Sequence, residues 1–483
     1  MIRRGRVEGW LRLPISAFKP WADLNGVTFN GIKVGPLPGH EDRGSTVIAE
    51  RALSDGEDPL MVVPRDLVLS LEGVQIHARS DRNLQELLDA LGDFGRTARG
   101  SILVFLLMQA TAACPSVSKG VAVRSPLTDY IKFLPEELLP TFWTEAELNL
   151  LEGTTLKPAI EAKLKSLNRE YEQLRSASED IEWCQKYWWD EDTGMLSFDD
   201  WLQVDAMYRS RALEFPGIGD CMVPCVDMAN HASGEGTVAL YETDGQGNAV
   251  LLLRDDKRLE AGDEITITYG DEKGACEMVF SYGFIEDSMT SARELFLDLE
   301  IPDDDPLKRA KKFISTSAPG FRLFDKADGI SWESDYVWLS CVNEEDGLDF
   351  RVLQTTDGNR ELKAFWKEEE LRGLTQLKDA LEADPMWEVF RLRATALVQD
   401  RVEAQARLLF GSDEGIRTMG LEGTTCRARP KALAMRLRTL EGSLLEKAWN
   451  SVESEKQELA ETETVKRYLN PLSDSRYEEE DFS

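Results

Sequence analysis

The sequence is poor in histidine and in positive charge. Three histidines occur among 483 residues, so a metal site built on imidazole has little support. The seven cysteines are scattered, and only Cys221 and Cys225 lie close together. Two thiolates do not complete a tetrahedral zinc site, so we expect these two residues to be small core side chains and expect no metal.

Long apolar runs are also missing. No stretch approaches the roughly 20 apolar residues that span a bilayer. The longest apolar run, residues 102–113, is interrupted by Gln109 and predicts a buried helix. The basic N-terminal residues have no apolar stretch behind them, so we expect no secretory signal. With its unpaired cysteines, the chain is predicted to be cytoplasmic or nuclear, with no membrane partner.

Acidic residues outnumber basic ones by 88 to 56, which gives a net charge of −32. Proteins that bind DNA without sequence preference neutralise phosphates with lysine and arginine, so this balance argues against a DNA partner. It is compatible with a basic protein partner, although solubility alone would explain it equally well. The hydrophobic fraction of 42% and charged fraction of 30% indicate a globular protein, predicted to be a monomer.

Hydrophobic periodicity predicts an α+β fold. Short strand patterns fill most of residues 1–104, and residues 105–215 have mainly helical spacing. Strand patterns return in residues 216–290. Residues 291–470 are charged and helical in spacing, and residues 471–483 form an acidic tail predicted to be disordered. Two β regions are thus expected to flank a helical insertion, followed by an all-α C-terminal domain.

The stretch that carries chemistry is residues 223–285. Glycine-rich nucleotide loops, HExxH and GxSxG are absent from the sequence. Asn230-His231 follows an apolar segment and offers polar groups that could recognise an amide, an amine or an adenine edge. Tyr269 ends an alternating strand and shares the row of Ile265 and Ile267. A phenol on a core-facing row needs a hydrogen-bond partner or a functional reason.

The motifs DMANH, GDEITITYG and YGF together resemble the SET domain, and within it the class typified by the Rubisco large-subunit lysine methyltransferase. Tyr269 and Tyr282 have the class's spacing between its two tyrosines. Arg211 resembles the arginine that precedes the Asn-His motif, and residues 43–49 resemble the first SET motif. The β regions would then be a split SET domain, and residues 291–470 its helical substrate-binding domain.

The resemblance implies a role for each matching residue. Tyr269 and Tyr282 would be catalytic, with Tyr241 and Tyr282 lining the substrate channel. Tyr241 departs from the class by one residue in its spacing from His231. The cofactor S-adenosylmethionine would be bound by residues from several motifs: Arg43, Gly44, Arg211, Asn230, His231, Tyr269 and Phe284.

The resemblance implies an S-adenosylmethionine-dependent protein-lysine N-methyltransferase. No cysteine-rich zinc segment follows the tyrosine motif, which favours a non-histone substrate, with a ribosomal or translation-related protein first among these. Two alternatives stay open: a protein-histidine N-methyltransferase, and a SET scaffold that binds a partner without catalysis. A lysine must lose its proton before it is methylated, and an aromatic channel beside a sulfonium lowers the pKa of the amine.

Simpler interpretations exist for the same residues. Tyr269 alone would be an ordinary strand residue, Asn230-His231 a turn, and Arg211 a cation at a helix end. The tryptophan-rich segment 183–201 is expected to be core packing. The basic cluster in residues 427–438 is expected to be a solvated helix face.

Overall fold

The computed structural model describes residues 1–39, 44–54, 58–136, 138–316, 318–354, 360–419 and 426–470, with residues 417–419 described by their backbone only. The chain divides into two compact units. The first contains Met1–Phe142, Ile160–Lys273 and Phe280–Gly283. The second contains Trp143–Ala159, Gly274–Val279 and the rest of the chain from Phe284. The predicted SET boundaries stay predictions, and the one at residue 105 falls inside a helix.

The described residues of the first unit form ten short strands. They are β1 (Thr28–Phe29), β2 (Ile32–Pro36), β3 (Ser45–Ala49), β4 (Met61–Val63), β5 (Leu213–Phe215), β6 (Gly219–Cys221), β7 (Asn230–His231), β8 (Ala239–Thr243), β9 (Ala249–Leu253) and β10 (Glu264–Ile267). They form sheets of order β1-β4-β9-β8 and β2-β3-β10-β7, together with the hairpin β5-β6. Both four-stranded sheets combine early and late strands, as the split β regions predicted.

Strand β10 fixes the register between the two halves. It pairs antiparallel with β3, where Ile265 lies opposite Val47. On its other side it pairs parallel with β7, where Thr266 lies opposite Asn230 and Ile267 opposite His231. Ile265 and Ile267 are fully buried. Because a slip of one residue would turn this apolar row to the opposite face, burial holds the Asn-His pair beside the end of β10.

Helices surround these sheets in the first unit. They are α1 (Ile2–Val7), α2 (Phe18–Leu24), α3 (Leu71–Ser80), α4 (Arg82–Ala90), α5 (Ala98–Ala113), α6 (Pro126–Tyr130), α8 (Leu156–Ser178, from residue 160), α9 (Glu182–Cys184) and α10 (Phe198–Arg211). The apolar run predicted to be a buried helix is α5, whose residues 100–113 are all buried. The tryptophans Trp183, Trp188 and Trp201 are buried, as the core-packing interpretation expected.

A buried ion cluster holds α10 in place. Asp205 on α10 pairs with Arg99 at 2.6 Å and with Lys163 at 2.9 Å. The Asp205 carboxylate is almost fully buried, and Arg209, one turn further on, lies 3.4 Å from it. Such a pair is costly to break, because removal of one partner leaves an uncompensated buried charge. The cluster therefore positions the last turn of α10, which ends at Arg211.

The second unit is mainly helical. Its helices are α7 (Glu145–Asn149), the first part of α11 (Ala275–Tyr282), α12 (Lys308–Ile314), α13 (Asp335–Ser340), α14 (Thr375–Glu382), α15 (Trp387–Gly411), α16 (Asp413–Met419) and α17 (Ala428–Ala460). The two longest, α15 and α17, pack against each other. Leu437, Leu444 and Ala448 are buried on α17.

The all-α prediction for the C-terminal region needs a correction, although the α+β class is confirmed. The second unit contains two three-stranded antiparallel sheets, β11-β12-β13 and β14-β15-β16. Their strands are β11 (Glu294–Asp298), β12 (Gly320–Lys326), β13 (Gly329–Glu333), β14 (Leu348–Gln354), β15 (Arg360–Trp366) and β16 (Glu369–Leu371). In β12 the buried Phe321 and Leu323 alternate with more exposed residues, a two-residue period that the surrounding charges obscured.

The basic cluster of residues 427–438 is a solvated face only in part: Arg429 and Lys431 are exposed, whereas Arg427 and Arg438 form ion pairs. The Arg438 side chain is 4% exposed and bonds Asp413 at 2.6 Å, and Arg427 bonds the buried carboxylate of Glu147, also at 2.6 Å. Among the described residues, no helix is long and apolar enough to cross a membrane, and no group of three potential ligand side chains could hold a metal ion. The predicted acidic tail lies outside the described residues.

Candidate active site

The rings of Tyr269 and Tyr282 pack against each other in the first unit, with their planes tilted. Tyr269 follows strand β10 by two residues, and Tyr282 ends helix α11. Their ring centroids are 4.7 Å apart, with 33° between the ring planes. The Tyr269 hydroxyl donates a hydrogen bond of 2.8 Å to the backbone carbonyl of Ala229. The phenol on the core-facing row thus has a fixed partner, and that partner precedes the Asn-His pair.

His231 makes two contacts with Tyr269, which belongs to the GDEITITYG motif. The backbone N–H of Tyr269 donates to Nδ1 of His231 at 2.9 Å. The two rings stack at 5.1 Å between centroids, 27° from parallel. An imidazole that accepts through Nδ1 is neutral and carries its proton on Nε2. The structure therefore brings His231, Tyr269 and Tyr282 into one continuous aromatic stack.

The Asn230 side chain turns toward strand β10. Its amide Nδ2 donates to Oε1 of Glu264 at 2.7 Å. This contact follows from the parallel pairing of β7 with β10, which places Asn230 opposite Thr266. With its Nδ2 bonded to a carboxylate and its backbone paired with β10, Asn230 has its amide oxygen left for another molecule.

Arg211 belongs to a buried network around Asp227. Its Nη1 lies 3.1 Å from the backbone oxygen of Asp227 and 3.5 Å from Oδ2. The Tyr130 hydroxyl donates to the same carboxylate oxygen. The Tyr130 ring stacks on Trp21 at 5.9 Å, so helices α6 and α2 support this network. Arg211 is thus held by a carboxylate and is more than a cation at a helix end.

The Asp227 carboxylate is strained electrostatically. Its side chain is fully buried, and Oδ1 has no hydrogen-bond partner among the described residues. Burial raises the pKa of this carboxyl group, and the Arg211 guanidinium opposes part of that rise. Two residues earlier Cys225 has a φ of 77°, a left-handed conformation that costs energy outside glycine. Perturbed pKa values and strained backbone conformations such as these are concentrated at functional sites.

The predicted residues that gather are Arg211, Asn230, His231, Tyr269 and Tyr282. All five are half-buried. Their neighbours Ala229, Ile265 and Ile267 are fully buried, so the five line the border between core and solvent. Side chains in this position can contact a ligand on one side while packing fixes them on the other.

The remaining predicted residues are placed differently. Tyr241 lies on β8 in the other sheet and packs on Phe215, with ring centroids 4.9 Å apart. Gly44 directly precedes β3 with a φ of 82°, while Arg43 lies outside the described residues. Phe284 is half-buried and belongs to the second unit. The roles of all the predicted site residues stay predictions.

Sequence reasoning missed three members of the site. Asp227 lies within the DMANH motif, but the sequence analysis assigned it no role. Glu264 is one of many acidic residues, and only the strand register singles it out. Tyr130 lies 97 residues before its partner Asp227, and its sequence context carries no signal for that contact.

Relatives and solved structures place this geometry among known proteins. No family model matches the chain. It is 26% identical over 291 residues to the SET domain-containing protein 8 of Schizosaccharomyces pombe, covering 59% of this chain and 64% of that protein. It is 26% identical over 307 residues to the tobacco Rubisco large-subunit N-methyltransferase, covering 60% and 55%. The chain therefore spans about half to two thirds of the length of these relatives.

A third relative covers more of the chain. The actin-histidine N-methyltransferase of Xenopus tropicalis is 22% identical over 448 residues, which cover 89% of this chain and 68% of that protein. Among solved structures, the SET domain of LSMT bound to methyllysine and AdoHcy superposes with a TM-score of 0.65 at 18% identity. The superposition covers 95% of this chain and 96% of that one. Rubisco LSMT bound to AdoMet gives a TM-score of 0.63.

The fold is that of the SET-domain methyltransferases. Within that fold, the similarity is to the Rubisco large-subunit methyltransferase-like class, which confirms the resemblance seen in the DMANH and YGF motifs.

Proposed function

We propose that this chain is an S-adenosylmethionine-dependent protein-lysine N-methyltransferase that acts on a non-histone protein. The observation that carries the proposal is the aromatic stack of His231, Tyr269 and Tyr282. Its central phenol is bonded to the Ala229 carbonyl beside the Asn-His motif. A fold similar to Rubisco LSMT and relatives named as lysine N-methyltransferases support this choice.

The residues around the stack fit the cofactor. The Asn-His strand offers backbone groups and an oriented amide, and the Arg211 guanidinium lies beside a buried carboxylate. Gly44 has a left-handed backbone, and a Cβ added there would meet no described residue within 4 Å, which leaves that side of the backbone open to close approach. These residues, together with Arg43 and Phe284, would hold S-adenosylmethionine. When bound, that molecule supplies an electrophilic methyl group on a sulfonium.

The work of the protein is then orientation and desolvation. Tyr269 and Tyr282 provide apolar walls that exclude water from an incoming lysine, and desolvation lowers the pKa of its ammonium group. Because the Tyr269 hydroxyl proton is committed to Ala229, the phenol oxygen presents its lone pairs to the amine. The proton leaves the amine to water before the nitrogen reacts. Catalysis by fixed geometry needs no dedicated general base.

The substrate is proposed to be a basic protein segment, with ribosomal or translation-related proteins first among the non-histone candidates. The net charge of −32 supports a basic partner through complementary fields. Monomeric state and cytoplasmic or nuclear location stay predictions, and three relatives are named as chloroplastic.

Histidine is the second candidate target. The match to an actin-histidine N-methyltransferase over 89% of this chain is the observation that favours it. A catalytically inactive scaffold remains the third, and the intact stack argues against it.

Labelling of a cell extract tests these proposals together. The purified chain would be incubated with extract and methyl-tritiated S-adenosylmethionine, and mass spectrometry would locate the labelled residue. Methyl-lysine in a single protein is expected. If the label is found on histidine instead, histidine replaces lysine as the target residue. If no label is transferred, a thermal shift with S-adenosylmethionine distinguishes the enzyme from the non-catalytic scaffold. A ligand at 100 times its Kd stabilises the folded state by about 2.7 kcal/mol, so absence of a shift would favour the scaffold.

A further inference from the structure

A cavity of about 710 Å³ lies in the first unit, outside the residues of the candidate active site. Its lining includes the start of helix α4, at Arg82 and Asn83, and the loop from Lys119 to Arg124. Cavities between about 300 and 1,000 Å³ are typical of sites for small molecules. The size of this cavity therefore suits a metabolite better than a folded partner.

The walls of the cavity are fixed by hydrogen bonds. Asp81 accepts the backbone N–H of Val123 at 2.7 Å, and Asn83 donates to the carbonyl of Val121 at 2.8 Å. The Arg124 guanidinium donates through Nε and Nη2 to the carbonyl of Ala112, at 3.2 and 2.8 Å. These bonds tie the loop to α4 and α5, so the cavity is preorganised.

Three cations surround this cavity without a carboxylate partner. Arg82, Lys119 and Arg124 are exposed, and none of them forms an ion pair within the described part of the chain. Acidic residues outnumber basic ones by 88 to 56, so the chain contains many carboxylates that could have paired with these three cations.

The single acid in the lining does not cancel this charge. The oxygens of Asp81 are occupied by the backbone N–H groups of Asn83 and Leu84, at 3.1 Å each, and by that of Val123. Among the described lining residues, three cations and one carboxylate leave a net positive charge in a protein that is otherwise strongly acidic.

We propose that this cavity binds a small molecule with two or more phosphate groups. Arginine presents a planar fork of N–H donors that matches the oxygens of phosphate, and Arg124 uses only part of its fork on Ala112. Cations on both α4 and the 119–124 loop face the same space, which suits linked phosphates better than a single one. The inference does not depend on methyl transfer, since it uses none of the active-site residues.

Calorimetric titration of the full chain with pyrophosphate and with ADP tests the inference. Binding of one molecule per chain is expected. The double variant Arg82→Gln/Lys119→Gln removes two exposed cations that have no ion pair, so folding is expected to be unchanged. The loss of charge-assisted contacts should weaken binding at least about tenfold.

A matched control removes the same charge elsewhere. Arg12 and Lys33 are also exposed and form no ion pair within the described part of the first unit. Arg12→Gln/Lys33→Gln should bind pyrophosphate like the wild type. Equal weakening in both double variants would show attraction to net charge alone and would overturn the site. Absence of heat at millimolar ligand, or equally tight binding of citrate, would overturn it as well.

Discussion

The imidazole of His231 accepts the backbone N–H of Tyr269 through Nδ1 at 2.9 Å while the two rings stack. Through this bond the Asn-His motif fixes the backbone of the residue that carries the phenol. In a methyl-transfer site, the His231 ring would have to orient both the residues that bind the cofactor and the catalytic tyrosine.

Replacement of His231 by alanine should therefore lower both the stability of the fold and the affinity for the cofactor. The Tyr269 N–H loses its acceptor in a half-buried position, at a cost of about 1 kcal/mol in the free energy of unfolding. Affinity for S-adenosylmethionine should fall as well, measured by calorimetric titration. His231→Asn, which can offer an oxygen acceptor, should recover part of the stability. Unchanged affinity in the alanine variant would separate His231 from the cofactor.

Tyr130→Phe tests the network that supports Arg211. The hydroxyl donates to the fully buried carboxylate of Asp227, and its loss leaves that carboxylate less satisfied. We expect a loss of about 1 to 3 kcal/mol in urea unfolding. The control is Tyr336→Phe, because the buried Tyr336 hydroxyl has no hydrogen-bond partner among the described residues. If the two variants lose the same stability, the hydrogen bond to Asp227 has no special weight.

Glu441 should make stability depend on pH. Its carboxyl group is buried in the second unit and accepts from Thr155 N and Oγ1, and burial raises its pKa from 4.5 to about 7. Between these values the folded state holds a proton that the unfolded state has lost, so stability falls as pH rises from about 4.5 to 7. The loss is on the order of 3 kcal/mol. Denaturant titrations at pH 5 and pH 8 would measure it.

Glu441→Gln provides the check on that prediction. The amide does not titrate, so the variant should lose most of the difference between pH 5 and pH 8 and should exceed the wild type in stability at pH 8. An undiminished pH dependence in the variant would assign the effect to another group.

Glu147 titrates in the opposite sense. The hydrogen bond from the Arg427 side chain lowers the pKa of this buried carboxyl group to about 2. Stability from this pair is complete above about pH 4.5 and is lost as pH falls toward 2. Arg427→Gln leaves the buried carboxylate without its cation, at a cost on the order of 2 kcal/mol at pH 7. A variant as stable as the wild type at pH 7 would show that the pair contributes nothing.

The split arrangement of the SET fold could be predicted from local patterns. Alternation before Tyr269 marked the strand β10, in which Ile265 and Ile267 are buried, and the apolar run of residues 102–113 marked the buried helix α5. The spacing of the two tyrosines carried the resemblance to a class of proteins. Each of these signals lies within a few residues of the feature that it predicts.

The parts of the fold and of the site that could not be predicted depend on contacts between residues far apart in the sequence. Nothing near Tyr130 indicates that its hydroxyl meets Asp227, and nothing near Arg427 indicates Glu147, 280 residues earlier. The strands of the second unit were missed because charged side chains interrupt their alternation, and β14 shows no regular change of burial along its length. Tertiary packing decides such segments more than local propensity does.

Methyl transfer by the Tyr269→Phe variant tests the central claim most directly. The matched control is Tyr171→Phe, because Tyr171 also donates its hydroxyl to a backbone carbonyl, that of Leu196 at 3.4 Å, but lies in helix α8. With the labelled cofactor and the extract protein that accepts methyl groups, Tyr269→Phe should bind the cofactor and transfer methyl groups at least about tenfold more slowly, while Tyr171→Phe matches the wild type. Wild-type turnover by Tyr269→Phe would contradict the account.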